Sequence, residues 1–114
     1  MRHWYQKIIA KWLQPEYKFL YVVDLPENVI NKTIYIVGNK EYSWLIVFKC
    51  PCGCQALIQL NLSKEATPCW SFRVNKKRKI DILPSVWRKR SCGSHFFVRK
   101  SKIHWIRGHG VNTF

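Results

Sequence analysis

Acidic residues are scarce in this sequence. The 114-residue chain carries 6 Asp and Glu against 20 Lys and Arg, a formal net charge of +14. No carboxylate lies near either of the cysteine motifs described below, so a metal-activated water there has no carboxylate base. Long apolar runs are also missing. The longest, Trp44–Phe48, has the length of a strand, whereas a bilayer-spanning helix needs roughly 18 to 20 residues. Residues 1–14 spread Arg2, Lys7 and Lys11 through their apolar positions. A secretory signal clusters its positive charge ahead of the apolar stretch, so the segment does not read as one and a cytoplasmic location is expected. There is no internal repeat and no low-complexity segment. An even cysteine complement is lacking too: the chain has 5 Cys. In a reducing compartment an odd count argues against a disulfide framework and for metal or thiol chemistry.

What is present is a folding composition. Hydrophobic residues make up 47% and aromatics 15%, with 6 Trp, which excludes a disordered chain, and the length allows one core. Residues 2–13 predict a helix, because Trp4, Ile8 and Trp12 recur at helical spacing beside Tyr5, Ile9 and Leu13 and Pro15 ends the pattern. Beyond it the pattern is β throughout. Short aromatic and β-branched segments are expected at 17–23, 33–37, 44–49, 56–62, 70–74, 80–83, 96–99 and 103–106, with polar hairpin tips at 75–79 and 99–102. The expected fold is mainly β: a compact, zinc-stabilised small β-sandwich or barrel with a short N-terminal amphipathic helix. The expected organisation is a helix over 1–14, a zinc-binding β domain over 17–107 and a flexible tail over 108–114.

The charge is concentrated in the second half. Residues 67–114 hold 12 basic residues and one acid, Asp81. Lys76, Lys77, Arg78 and Lys79 form one cluster, and Arg88, Lys89 and Arg90 another, with Arg99, Lys100 and Lys102 beyond. Such a surface attracts polyanions by Coulomb attraction and counterion release, so weak binding of nucleic acid or an acidic protein is expected. Trp70, Trp87 and Trp105 lie near the basic runs, where exposed rings would stack on bases, although Trp in a small fold more often fills the core.

Two cysteine motifs carry the chemistry. Cys50-Pro51-Cys52-Gly53-Cys54 makes a tight knuckle, and Cys92-Gly93-Ser94-His95 supplies a second loop. Zinc takes four tetrahedral N or S ligands in closed structural sites. Five candidates compete for four places: two of Cys50, Cys52 and Cys54, with Cys92 and His95. An iron–sulfur cluster on the same loops is the alternative. Cys69 stands apart as an ordinary thiol. Ser94, between two proposed ligands, has two readings. It either bonds a cysteine sulfur or acts as a nucleophile. His95, its chain neighbour, points to the opposite side of an extended strand, so His104 from a facing strand is the candidate base.

These motifs, in the order Leu25-Pro26-Glu27, Thr33-Ile34-Tyr35-Ile36, the cysteine knuckle, Leu83-Pro84-Ser85, Cys92-Gly93-Ser94-His95-Phe96-Phe97-Val98 and Trp105, resemble a small bacterial family. Some of its members are encoded in Bub operons beside ubiquitin-like conjugation enzymes, as the peptidase that processes the ubiquitin-like protein. The resemblance implies a β-rich domain with a metal-binding cysteine cluster and serine-type peptidase chemistry, with Ser94 as the suspect nucleophile and Ser85 as the second serine at a matching position. It implies a ubiquitin-like protein or its conjugates as partner. Gln55 stands where the family usually has Gly, and Gly93 where it usually has a basic residue. The competing readings are a non-catalytic zinc-stabilised binding module with a basic face, and a metallohydrolase, which all-thiolate ligation disfavours.

Overall fold

Alternation of apolar and polar side chains shapes most of the strands. The computed structural model describes residues 16–106; the helix expected over 1–14 and the tail expected over 108–114 lie outside them. Eight strands follow in order: β1 (Lys18–Val22), β2 (Thr33–Gly38), β3 (Ser43–Lys49), β4 (Leu57–Asn61), β5 (Ser71–Val74), β6 (Ile80–Trp87), β7 (His95–Arg99) and β8 (Lys102–Trp105). All eight expected segments contain strands; β2, β3 and β7 run one residue longer than expected, and β6 runs four residues longer. In β4 and β7 every second residue is buried, the period of a sheet with one face on the core. β2 is buried at every position.

The strands form two four-stranded sheets, ordered β1-β2-β3-β4 and β5-β6-β7-β8. Within each sheet neighbouring strands pair antiparallel except β1 and β2, which run parallel. The parallel pair needs a connection that carries the chain back along the sheet. Residues 23–32 provide it, and the Ile30 N–H donates to the Tyr35 hydroxyl at 3.1 Å near its end. The Asn39 side chain accepts from the Glu41 and Tyr42 N–H groups at 2.8 and 3.0 Å, which sets the β2–β3 turn.

One core joins the sheets. Ile34, Ile36, Ile46 and Phe48 of the first meet Ile80, Ile82, Phe96 and Val98 of the second. The Phe48 and Phe96 rings meet edge to face with centroids 6.2 Å apart, and Phe96 also meets Trp105 at 5.6 Å. Each fully buried phenylalanine contributes roughly 1.5 to 3 kcal/mol of hydrophobic stabilisation. The architecture is therefore the sandwich alternative of the two expected. Among the described residues no helix is long and apolar enough to cross a membrane.

One irregularity matters for the site. β6 pairs with β7 through Ile82↔Val98 and then Val86↔Phe96, so Leu83, Pro84 and Ser85 bulge out of the β6–β7 ladder, while Leu83 keeps its pairing with Ser71 of β5. Proline lacks the N–H that a ladder needs, and the sequence pattern alone ended the strand at Leu83. The strand instead absorbs Leu83–Ser85 as a bulge and resumes pairing at Val86. Bulges re-aim side chains, and this one presents Ser85.

Candidate active site and metal centre

The two cysteine loops meet at the end of the sandwich where β3 passes into β4 and β6 into β7. In the first, the Cys50 N–H donates to the Ala56 carbonyl at 2.8 Å and the Gly53 N–H to the Cys50 carbonyl at 3.2 Å. Gly53 has φ +93°, a left-handed conformation that glycine adopts without strain. Gln55, where the resembled family usually has Gly, also has a positive φ of 68°, and its side chain bonds the Lys49 ammonium at 3.1 Å. In the second loop the Arg88 N–H donates to the Ser94 carbonyl at 2.7 Å, and the Arg88 carbonyl accepts from Ser91 and Gly93.

These folds bring the Sγ atoms of Cys50, Cys52, Cys54 and Cys92 within 4.8 Å of one another. Cys50 Sγ lies 3.4 Å from Cys52 Sγ and 3.6 Å from Cys92 Sγ. Four sulfurs at about 2.3 Å from a tetrahedral zinc stand about 3.8 Å apart, so the donor set fits one such ion. His95 is not in this cluster. It was expected as a ligand because Cys-x-x-His is a familiar clasp, but strand alternation turns its ring away from the sulfurs while the third knuckle cysteine completes the group.

Cation and hydroxyl groups surround the sulfurs. Arg88 Nη1 is 3.7 Å from both Cys54 Sγ and Cys92 Sγ. Burial opposes the guanidinium charge, but its sulfur contacts outweigh this and raise its pKa. Ser94, 3% exposed, places its Oγ 3.1 Å from Cys92 Sγ and 3.8 Å from Cys50 Sγ. Burial pushes the Cys50 thiol up to about 11. Burial also opposes ionisation of Cys92, yet hydrogen bonds from the Ser94 hydroxyl and backbone and from the Cys50 and Cys52 thiols outweigh it and draw Cys92 down to about 6. The Ala56 backbone N–H is the main cause of a lowered Cys54 thiol.

A second constellation lies beside the first. His95 Nε2 is 3.1 Å from Ser85 Oγ. Both residues are half-buried, so each is held yet reachable. His95 is the register partner of Trp87, and the two rings stack with centroids 4.9 Å apart and planes 15° from parallel. This stack fixes the imidazole plane. The Trp70 indole N–H donates to the Ser85 carbonyl at 3.2 Å and so anchors the bulge. An open groove of about 790 Å³ passes Trp70, Phe72, Leu83 and Pro84, with Cys69 also on its wall.

Residues 21–106 match the family model of the bacterial ubiquitination-like system serine protease, BubE. The chain belongs to the BubE family. No curated protein and no solved structure gives a match. For a BubE member a serine beside a histidine is the arrangement to seek, and the geometry brings together Ser85 and His95. Ser94 and His104, the pair suggested by sequence, are not brought together. Ser94 faces the sulfurs. His104 is the register partner of Phe97, stacks on its ring at 5.1 Å and borders a basic cleft with Lys102 and Arg99. One signal was available in the sequence: Leu83-Pro84-Ser85 breaks the strand pattern in the middle of β6.

The basic residues divide as well. Arg88 turns onto the sulfurs and Lys89 lies over the Trp87 ring at 5.0 Å, both at the cysteine end of the sheet. Lys76, Lys77, Arg78 and Lys79 form the β5–β6 tip at the opposite end of β6.

Proposed function

We propose that this BubE-family chain is a serine peptidase that cleaves a ubiquitin-like protein from its precursor or conjugates, with Ser85 as nucleophile and His95 as general base. The observation that carries the reading is the 3.1 Å contact between Ser85 Oγ and His95 Nε2. As Ser85 Oγ attacks the scissile carbonyl carbon, His95 Nε2 takes its proton. The imidazolium then gives that proton to the leaving amine as the C–N bond breaks. Water, deprotonated by the same nitrogen, releases the acyl group from Ser85. Stacking on Trp87 holds the ring in one orientation through both transfers, a part that a carboxylate plays in a triad. The Ser85 backbone N–H, in the bulge, is the candidate oxyanion donor. The groove past Trp70, Phe72 and Leu83 suits the apolar residues before the scissile bond.

One zinc held by Cys50, Cys52, Cys54 and Cys92 belongs to the same reading. A four-thiolate ion has no open position, so its contribution is to pin the two loops together. The short sulfur separations favour a single ion over an iron–sulfur cluster, whose irons and sulfides hold cysteine sulfurs further apart. Four thiolates on a divalent ion leave a surplus of negative charge, which Arg88 offsets. Arg88→Ala is expected to weaken zinc retention about 10- to 100-fold, read by competition with a chromogenic chelator. Unchanged retention would remove Arg88 from the centre.

The nucleophile is tested by a fluorophosphonate probe followed by peptide mass mapping. Adduct on the peptide containing Ser85, lost in His95→Ala, is the expected result. Adduct on Ser94 would move the nucleophile to the metal side.

A further inference from the structure

The second sheet has two chemically opposite ends. One carries the cysteine cluster and the Ser85–His95 pair. The other carries the β5–β6 and β7–β8 hairpin tips, and between them lies a cleft of about 660 Å³ lined by Lys76, Lys77, Lys79, Arg99, Lys100 and Lys102. Among the described lining residues the one carboxylate is Glu16, which is already paired with Lys79. The nearby Asp81 is occupied by Arg73 at 3.1 Å and by the Lys100 N–H at 2.7 Å. Like charges this close repel within a Debye length of roughly 8 Å at physiological salt, and the described lining supplies little to neutralise them.

The cleft is held in shape by hydrogen bonds, which sets it apart from a loose spray of lysines. The Asn75 side chain accepts from the Lys77 and Lys79 N–H groups at 2.9 and 3.0 Å, closing the first tip. In the second, Lys100 and Ser101 have φ of 51° and 63°. Such left-handed pairs form tight hairpin turns that Asn and Gly adopt most readily. Here the chain places Lys and Ser there and compensates with contacts. Ser101 is 1% exposed. Its Oγ accepts from the Ile80 N–H at 2.9 Å. Its own N–H donates to the Ile80 carbonyl at 2.8 Å, and its carbonyl accepts from the Tyr17 N–H at 2.6 Å. One tip is thus bolted to the base of the other, and the cations cannot drift apart to relieve their repulsion.

We infer that this cleft is an anion-binding exosite that holds a carboxylate-rich segment of the protein substrate while the scissile bond reaches Ser85. The choice of an acidic protein segment over nucleic acid follows from the lining. Among the described residues no Trp, Tyr or Phe lines the cleft, and the ring that does, His104, is stacked on Phe97, so the described lining offers bases no free platform. Five of the six described cations are lysines, point charges without the planar fork that matches phosphate. The second basic cluster, Arg88–Arg90, lies past the far end of β6, so the positive charge is not one stripe that tracks a nucleic-acid backbone. From Ile80 to Ser85 the strand covers about 16 Å at roughly 3.3 Å per residue, a span within reach of a protein substrate whose acidic segment lies a few extended residues or more from its scissile bond. The substrate assignment rests on the peptidase reading; the anion site itself does not.

The test uses the full zinc-loaded chain, a fluorescent oligo-glutamate peptide and single- and double-stranded DNA of matched charge. Lys77→Glu/Lys100→Glu/Lys102→Glu should weaken oligo-glutamate binding by about tenfold or more, and wild-type binding should fall steeply with salt. Lys89→Glu/Arg90→Glu should leave it within about twofold, since those charges lie beyond a Debye length. Circular dichroism and zinc content confirm that each variant is folded. Equal losses from the two charge-reversal sets, or tighter binding of either DNA than of the acidic peptide, would overturn the exosite. Neither readout involves catalysis, so a Ser85 that proves inert and a cleft that proves inert are separate results.

Discussion

Replacing Ser85 with alanine is expected to lower cleavage of a ubiquitin-like precursor by about 10⁴- to 10⁶-fold, the range seen when a serine nucleophile is removed. Zinc content and thermal midpoint should stay at wild-type values, because Ser85 sits half-buried on a bulge outside the β6–β7 ladder. His95→Ala should cost a similar factor, and the double variant little more, since the two residues act as a unit. Ser94→Ala gives the opposite pattern. Its hydroxyl is 3.1 Å from Cys92 Sγ, so stability should fall by about 1 kcal/mol with cleavage largely kept. Purified variants assayed for both cleavage and melting separate the two serines. A dead Ser94→Ala with an active Ser85→Ala would return the nucleophile to the metal side.

Loss of the proposed zinc carries the second large expected effect. Structural zinc supplies about 10 to 16 kcal/mol of apparent binding free energy at neutral pH, comparable to or larger than the whole stability of a small domain. Cys50→Ser, Cys52→Ser or Cys92→Ser is therefore expected to abolish the cooperative thermal transition, and chelator should inactivate slowly, in step with unfolding followed by circular dichroism. Cys69→Ser, in the groove wall, should melt as wild type. The decisive variant is His95→Ala. It should retain one equivalent of zinc while losing cleavage. Zinc loss in that variant would restore His95 to the ligand set, and fast reversible chelator inhibition without unfolding would give the ion a catalytic part.

The strands were legible because their signal is local. β-branched and aromatic runs between polar turns mark all eight, and the two basic hairpin tips follow from the same pattern. The pairing of Ser85 with His95 was not legible, because it depends on a bulge that lifts Ser85 out of the β6–β7 ladder. Pro84 read as a strand terminator when it is a strand interruption. The cysteine loops were found from their spacing, yet that Cys54 and not His95 joins the sulfur cluster needed the third dimension, since spacing fixes which residues are near and not which way they face. The basic surface misled in the same way. Charge counts merge Lys76–Lys79 with Arg88–Arg90, and the sheet holds them at opposite ends.

Ser94, His95 and Phe96 alternate between the buried and the half-exposed side of the sheet. Consecutive residues thus face the sulfurs, the Ser85 hydroxyl and the core in turn. The stretch from Cys92 to Phe96 behaves like a reading frame. Inserting one residue into this stretch would exchange the faces, sending imidazole toward the sulfurs and the Ser94 hydroxyl toward Ser85, whereas the turn at 89–91 has no such alternation to keep. Length variation in this segment should therefore gather before the cysteine and stop at it.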